Sequence, residues 1–412
     1  MTDPSPQVLI HADPWSVPVD PVLATRARDH LAQARDATLH GAEWPPLPAD
    51  TPPDAVLAVV GAGKMGSGIA QCALAAGLTV HLLDADEAAA RRGAERIAAS
   101  LASAVERGRL SPKEQAERLT RLHLGEHGAA LAQADVVVEA IVENTAAKQA
   151  LLAQLHTACP PHTLLLSNTS TLDIDALAQA CGRPDLVAGM HFLTPAQVTP
   201  LVEVVRGRAT SDASLARARA LAQRLGKLPV LAGNAWGFIG NRLFEGYLRE
   251  VDALQLEGVS AARIDAALEA FGFALGPCRT LDMAGTDLVS QVLAARALRF
   301  DQPPAYRRVT RRLAELGRFG HKSGRGHYLY EGRQARPDPD LAQVCAGEAR
   351  ALGIEQRPGV SDETIVRRCV TPLMEEGRRV LAEGMACRAS DIDLVWVLGY
   401  GFPADRGGPM WM

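Results

Sequence analysis

At 412 residues the chain is too long for one ordinary domain, and two or three are expected. Lysine and arginine number 43 against 47 aspartate and glutamate, a net charge of −4, which argues against nucleic acid or an anionic membrane surface as the main partner. With 47% hydrophobic residues there is material for substantial cores, yet no apolar run approaches the roughly 18 residues that span a bilayer. The seven cysteines are odd in number and show no C-x-x-C spacing, so neither a disulfide framework nor a zinc site is expected and a reducing cytosol is the natural setting. The opening MTDPSPQVLI lacks a basic segment followed by an apolar one, so no signal peptide is read.

Residues 1–54 are rich in proline and aspartate, with one helix expected near VLATRARDHLAQARDATL, and read as a tether with little core of its own. The character changes at Ala55–Val60, a continuous apolar run suited to a strand buried on both faces. A glycine-rich turn follows, then a helix from about Gly66 to Ala76 and the strand TVHLLD, which together make a βαβ unit. Further strands are expected at ADVVVEAIV, TLLLSNTS, LVAGMHF and PLVEVV, separated by helices such as Ala146–Ala158. The alternation predicts a parallel, doubly wound sheet. From about Ala235 the pattern turns helical, and FIGNRLFEGYLREVDALQLEGV is the longest amphipathic run.

The turn GAGKMG places Gly61, Gly63 and Gly66 in G-x-G-x-x-G spacing, with Met65 among them. Gly61 permits the tight turn, Gly63 lets the backbone approach a pyrophosphate, and Gly66 lets helix and strand pack closely. The motif follows a strand, opens a helix and is answered by Asp84, 23 residues after Gly61, at the end of the next strand. A carboxylate there accepts from ribose hydroxyls and repels a 2′-phosphate, so NAD is favoured over NADP as cofactor. The bland alternative is a glycine turn with Asp84 capping a helix. The fold class predicted is an α/β Rossmann-type dinucleotide-binding domain followed by an all-α C-terminal domain with a partial second repeat. Its expected parts are the extension 1–54, the nucleotide domain 55–234, the helical domain 235–330, a polar linker 331–360 and the partial repeat 361–412.

The repeat is visible in the order of its landmarks. Glu257-Gly258 corresponds to Glu383-Gly384 and Gly272-Phe273 to Gly401-Phe402, at offsets of 126 and 129, each flanking an "ID" helix and followed by G-P. After Gly408-Pro409 the second copy stops within three residues. A half-domain of this size cannot bury its own apolar face, so residues 361–412 are expected to dock on 235–330 of the same chain, in a monomer or a homodimer.

The stretch GMHFLTPAQVTPLVEVV sets His191 and Glu203 in apolar surroundings. Either they are a satisfied core histidine and an edge-strand glutamate, or they are a functional pair. Four segments decide the matter: ADVVVEAIVENTAAK, SNTSTL, GMHFLTPAQVTPLVEVV and GFIGNRL. Together with GAGKMGSGIA they closely resemble the L-3-hydroxyacyl-CoA dehydrogenase family over roughly residues 55–330, and the second repeat resembles the second helical domain of the multifunctional fatty-acid oxidation enzymes. The hydratase domain that precedes this unit in those enzymes is not expected here. Glu203 lies twelve residues after His191, Ser170 twenty-one before it and Asn241 fifty after it, as in the family.

The resemblance implies an acyl-CoA thioester substrate, with His191 as general base for the 3-hydroxyl and Glu203 orienting its imidazole. It implies that Ser170 and Asn241 bind the reacting oxygen, and that Val142, Glu143, Asn144 and Lys148 flank the nicotinamide-side ribose. On the residues alone, Ser170 also reads as the cap of a helix near Leu172, Asn241 as a helix cap or bridge and Lys148 as a solvated helix residue. Thr194 stands where the family has an asparagine near the nicotinamide. Arg107, Arg109 and Lys113 stand where the family has CoA-associated lysines, without a contact assigned to them. Two other activities remain open: the same pair acting on another 3-hydroxy acid or an acyl-carrier thioester, or a non-catalytic dinucleotide-binding partner.

Overall fold

The structure, a computed structural model, describes residues 13–15, 17–47, 56–125, 127–332 and 334–412. The expected start of the first strand at Ala55 lies outside them, as do residues 1–12, 16 and 48–54 of the proline-rich segment before it. The chain divides into two compact units: Ala32–Arg242 with Arg379–Tyr400, and Leu243–Arg378 with Gly401–Met412 and the described residues up to Leu31.

The first unit is built on one eight-stranded sheet: β1 (Val56–Val60), β2 (Thr79–Leu83), β3 (Leu122–His123), β4 (Val136–Glu139), β5 (Leu164–Ser167), β6 (Val187–Phe192), β7 (Leu201–Arg206) and β8 (Leu228–Gly233). The strand order is β3-β2-β1-β4-β5-β6-β7-β8. Leu57–Val60, Val136–Val138 and Leu164–Leu166 are buried, as unbroken apolar runs demand when helices cover both faces. The expectation of a wholly parallel sheet is corrected at one place, because β6 and β7 pair antiparallel. Only eight residues separate Phe192 from Leu201, too few for the helical crossover a parallel pair requires. This hairpin has a chemical consequence: its register sets His191 directly opposite Glu203. The strands β3 and β8 were not expected. The first is two residues long, and the second carries Pro229, which is tolerated because β8 lies at the edge of the sheet.

The tether reading of residues 1–54 is corrected where they are described. The helix Pro21–His40 is present, but Ala34 and Trp44 are buried and the Thr38 hydroxyl donates to Asp391 Oδ1 at 2.6 Å. Arg388 pairs with Glu43, and the Arg219 guanidinium lies 5.5 Å from the centre of the Trp44 ring. Residues 32–47 are thus part of the first unit.

In the second unit the helices Ala261–Phe271 and Pro277–Ala284 sit with the body of the helix Gly240–Leu256 and most of the helix Asp362–Ala382. The segment read as a polar linker is folded: Tyr328–Glu331 pairs antiparallel with Gln334–Pro337, and the helix Pro339–Leu352 buries Leu341, Cys345 and Ala349. Asp338 caps that helix and Pro339 opens it, a start signal that the surrounding charge concealed.

Contacts within this unit join the two helical segments. Arg368 reaches Glu257 at 2.6 Å and Glu250 at 3.3 Å, and Arg263 reaches Asp362 at 3.2 Å. Phe402 is buried with its ring edge-on to Phe271 and Phe273, at 6.3 and 5.4 Å. The landmark glycines share a conformation as well as an order: Gly258 and Gly384 have φ of +94° and +70°, and Gly272 and Gly401 of +124° and +74°. Each ends a helix in the left-handed region that glycine alone enters cheaply.

The aromatic cluster carries a prediction. Phe402→Ala removes a buried ring from between two others and should cost about 3–5 kcal/mol in denaturant unfolding. A loss under about 1 kcal/mol would show that the cluster does not hold this segment in place.

Candidate active site

The glycine turn fits a dinucleotide phosphate. Gly61 has φ of +103°, and a Cβ there would lie 2.5 Å from the Ala140 carbonyl oxygen. At Gly66 a Cβ would collide with the Gly61 carbonyl oxygen, so this position belongs to close strand–helix packing. Gly63 differs, because a Cβ there would meet nothing within 4 Å. It caps the helix Lys64–Ala75 without any side-chain bond to the first-turn amides, as a helix start that receives a phosphate requires. The helix starts two residues before the expected Gly66. Asp84 stands half-buried at the end of β2, where Oδ2 accepts from Ala62 N–H at 2.8 Å. The carboxylate holds the turn while keeping acceptor positions free, and it lines a cleft of about 250 Å³ with Leu83, Arg91 and His127. Thr194 is exposed with its hydroxyl 3.1 Å from Met65 Sδ, which brings the end of β6 to the glycine turn.

His191 and Glu203 meet across the β6–β7 pair. His191 Nδ1 lies 2.6 Å from Glu203 Oε2, and both side chains are buried. Glu203 Oε1 accepts from Ile239 N–H and Gly240 N–H, each at 3.0 Å, where the helix Gly240–Leu256 begins. A carboxylate that takes two amides on one oxygen can only accept on the other, so Nδ1 carries the hydrogen and Nε2 is left for a reactant. The entry to that helix is strained: Phe238 has φ of +49°, and its ring lies 5.8 Å from the imidazole. The strain turns the chain so that successive amides reach Glu203.

A second carboxylate organises the loop after β5. Glu143 Oε1 accepts from the Thr169 hydroxyl at 2.7 Å and from the Ser170 amide and hydroxyl at 2.8 and 3.1 Å. Burial would raise its pKa, but Lys148 and these donors outweigh burial and hold it below the ordinary glutamate value. Ser170 does not cap a helix: the next one starts at Ile174 and is capped by Asp173. Asn241 donates from Nδ2 to the Ser170 carbonyl at 3.4 Å, which joins the two residues expected at the reacting oxygen. Val142 is exposed beside Glu143, while the Asn144 side chain caps the helix Thr145–Ala158. Arg107, Arg109 and Lys113 are exposed near the turn between the helices Glu87–Glu106 and Pro112–Thr120.

Lys148 is neither solvated nor at the surface. It is 1% exposed, with its ammonium 2.7 Å from Glu139 Oε2 and 3.6 Å from Glu143 Oε2. Glu139, at the end of β4, also accepts from the Ser167 hydroxyl. Sequence reasoning missed Glu139, although a glutamate closing the run VVVE carried the same signal as Glu203. It also missed Asn168, whose Oδ1 accepts from the Phe192 amide at 2.8 Å and ties β5 to β6.

A glycine-turn dinucleotide fold with a buried histidine–carboxylate pair is an arrangement that suits a nicotinamide-dependent dehydrogenase. Comparison with known proteins narrows the class. The profile of the 3-hydroxyacyl-CoA dehydrogenase NAD-binding domain matches residues 56–235, and that of the family's C-terminal domain matches 237–330. The solved (S)-3-hydroxybutyryl-CoA dehydrogenase of Ralstonia eutropha is 34% identical, with a TM-score of 0.63, over 68% of this chain and 100% of that one. The 3-hydroxybutyryl-CoA dehydrogenase of Escherichia coli K12 is 29% identical with a TM-score of 0.72, over 87% and 91%. The peroxisomal bifunctional enzyme of Danio rerio is 38% identical over 86% of this chain and 50% of its own length. This chain therefore belongs to the 3-hydroxyacyl-CoA dehydrogenase family and is an NAD-dependent oxidoreductase. It spans about half the length of the curated relatives it matches. Among the described residues, no helix is long and apolar enough to cross a membrane.

The two glycines should separate binding from folding. Gly63→Ala should leave Tm unchanged yet weaken NADH binding about tenfold or more, because its methyl group enters only the space the ligand needs. Gly66→Ala should lower Tm by several degrees. Equal effects on Tm would contradict the distinction. Lys148→Met should cost about 3–5 kcal/mol, since it strands Glu139 as a buried unpaired carboxylate. An unfolding midpoint within error of the unaltered protein would show that the pair is not buried as described.

Proposed function

We propose that the protein oxidises (S)-3-hydroxyacyl-CoA to 3-oxoacyl-CoA, reversibly, in a fatty-acid β-oxidation type of reaction. The observation that carries the proposal is the buried pair of His191 and Glu203 with Nε2 left free. Oxidation of a secondary alcohol removes two things from the substrate, a hydride from C3 and the hydroxyl proton. Bound NAD supplies the hydride acceptor. The proton needs a base, and His191 Nε2 takes it as the C3–O bond becomes a carbonyl. The positive charge that forms on the imidazole is stabilised by Glu203, which also fixes the ring's tautomer.

Ser170 and Asn241 hold the reacting oxygen. The Asn241 amide, donating to the Ser170 carbonyl, keeps the two residues together and retains a second N–H for the reacting oxygen, while Glu143 accepts from the Ser170 amide and hydroxyl and leaves the hydroxyl oxygen as an acceptor. Glu143 with Val142 and Asn144 flanks the nicotinamide-side ribose. Lys148 acts from beneath by holding Glu143, and Thr194 and Met65 border the same end of the cofactor site. Asp84 binds the adenosine ribose. The acyl-CoA reading is supported by the names of the solved relatives, both 3-hydroxybutyryl-CoA dehydrogenases.

The contacts of Arg368 and Phe402 support a chain whose second helical segment packs on its own first, in a monomer or a homodimer. All seven cysteines are free, which suits a cytoplasmic protein.

NADH formation with 3-hydroxybutyryl-CoA, and its absence with free 3-hydroxybutyrate, is the direct test. Activity on the free acid alone would replace the proposed substrate. His191→Gln should abolish turnover while NADH still binds, and Glu203→Gln should lose about 10²–10⁴-fold in kcat. A wild-type kcat in either variant would remove the pair from the chemistry. On NADP the enzyme should be much slower than on NAD, and Asp84→Ala should narrow the gap mainly by weakening NAD. Equal kcat/KM for the two cofactors before any substitution would contradict the ribose contact.

A further inference from the structure

Tyr400 lies in the turn after the helix Ala389–Gly399, far along the chain from the nucleotide-binding stretch. Its hydroxyl is 2.9 Å from Asn241 Oδ1. Its ring stacks on Trp396 at 4.9 Å and lies against the backbone of Gly240, where a Cβ would come within 2.5 Å of the tyrosine oxygen. Gly240 is one of the two residues whose amides hold Glu203. One side chain therefore touches both halves of the site, the reacting-oxygen residue Asn241 and the helix start that anchors the base.

Resting on the reading of Asn241 given above, we propose that Tyr400 is a positioning residue that fixes the Asn241 amide so that its NH₂ group faces the reacting oxygen. The donor–acceptor logic leaves one arrangement. The Ser170 carbonyl can only accept, so the end of the Asn241 amide facing it is Nδ2. Oδ1 then faces Tyr400, and the phenol must be the donor. Rotating the amide by half a turn would set two acceptors together at Ser170 and turn a carbonyl toward the developing oxygen charge. Tyr400 prevents that rotation. Burial, and then the nearby Glu203 charge, push the phenol pKa well above its ordinary value, so the group stays a donor across the working range.

Tyr400→Phe keeps the ring, its stacking and its contact with Gly240, and removes only the hydroxyl. With 3-hydroxybutyryl-CoA and NAD, kcat should fall about 3- to 10-fold, the scale of one hydrogen bond, while KM for NAD and Tm stay unchanged. In an Asn241→Ala background the same substitution should cause no further loss, because there is no amide left to orient. Wild-type kcat in Tyr400→Phe, or an equal fold-loss in both backgrounds, would overturn the proposal while leaving the role of Asn241 intact. Full activity of Asn241→Ala by itself would instead remove the reading of Asn241, and the positioning role with it.

Discussion

The site depends on the burial of one carboxylate. Glu203 has no exposure to solvent, and a charge taken out of water is tolerated only when its lone pairs are met by donors. Here they are met from two directions, by the imidazole across the hairpin and by two amides at the start of a helix. The helix dipole adds to the stabilisation, since an anion is favoured at that end. The imidazole and the pair of amides belong to different parts of the first unit, so satisfying the charge also fixes the register of β6 on β7 and the point at which the helix begins. A one-residue slip of the hairpin would turn His191 to the opposite face of the sheet and leave Glu203 without its partner.

The same device recurs beneath the cofactor side of the site. Glu139 closes β4 and is buried against Lys148, which in turn steadies Glu143 and, through it, the loop carrying Ser170. The two networks meet where Asn241 reaches the Ser170 carbonyl. The loop carrying Ser170 is thereby held by Glu143, which an ion pair at the end of a strand steadies. That is how a reaction needing sub-ångström placement is built on segments that would otherwise move.

Much of this was legible from the sequence for local reasons. The run Val56–Val60, the glycine spacing and Asp84 lie within thirty residues of one another, and the strand–turn–helix context gives each a physical reason. His191 and Glu203 stood out because polar residues interrupt apolar runs. Lys148 was harder, since a lysine on an amphipathic helix is usually solvated and only the unseen Glu139 beneath it makes burial affordable. Tyr400 was out of reach, because it meets Asn241 across 159 residues of chain. The packing of the N-terminal segment was hidden in the same way: Thr38 finds Asp391 across 353 residues, and proline-rich composition says nothing about such a contact. The antiparallel hairpin, by contrast, follows from the short link between β6 and β7.

The central claim is that Glu203 holds His191 with hydrogen on Nδ1 and a free Nε2. The direct measurement is the ¹⁵N chemical shifts of the His191 ring in histidine-labelled protein, assigned by their loss in a His191 variant. In the neutral ring, the account predicts a protonated Nδ1 and an unprotonated Nε2, and loss of that preference when Glu203 is replaced by glutamine. Hydrogen on Nε2 in the unaltered enzyme, or shifts indifferent to Glu203, would contradict it.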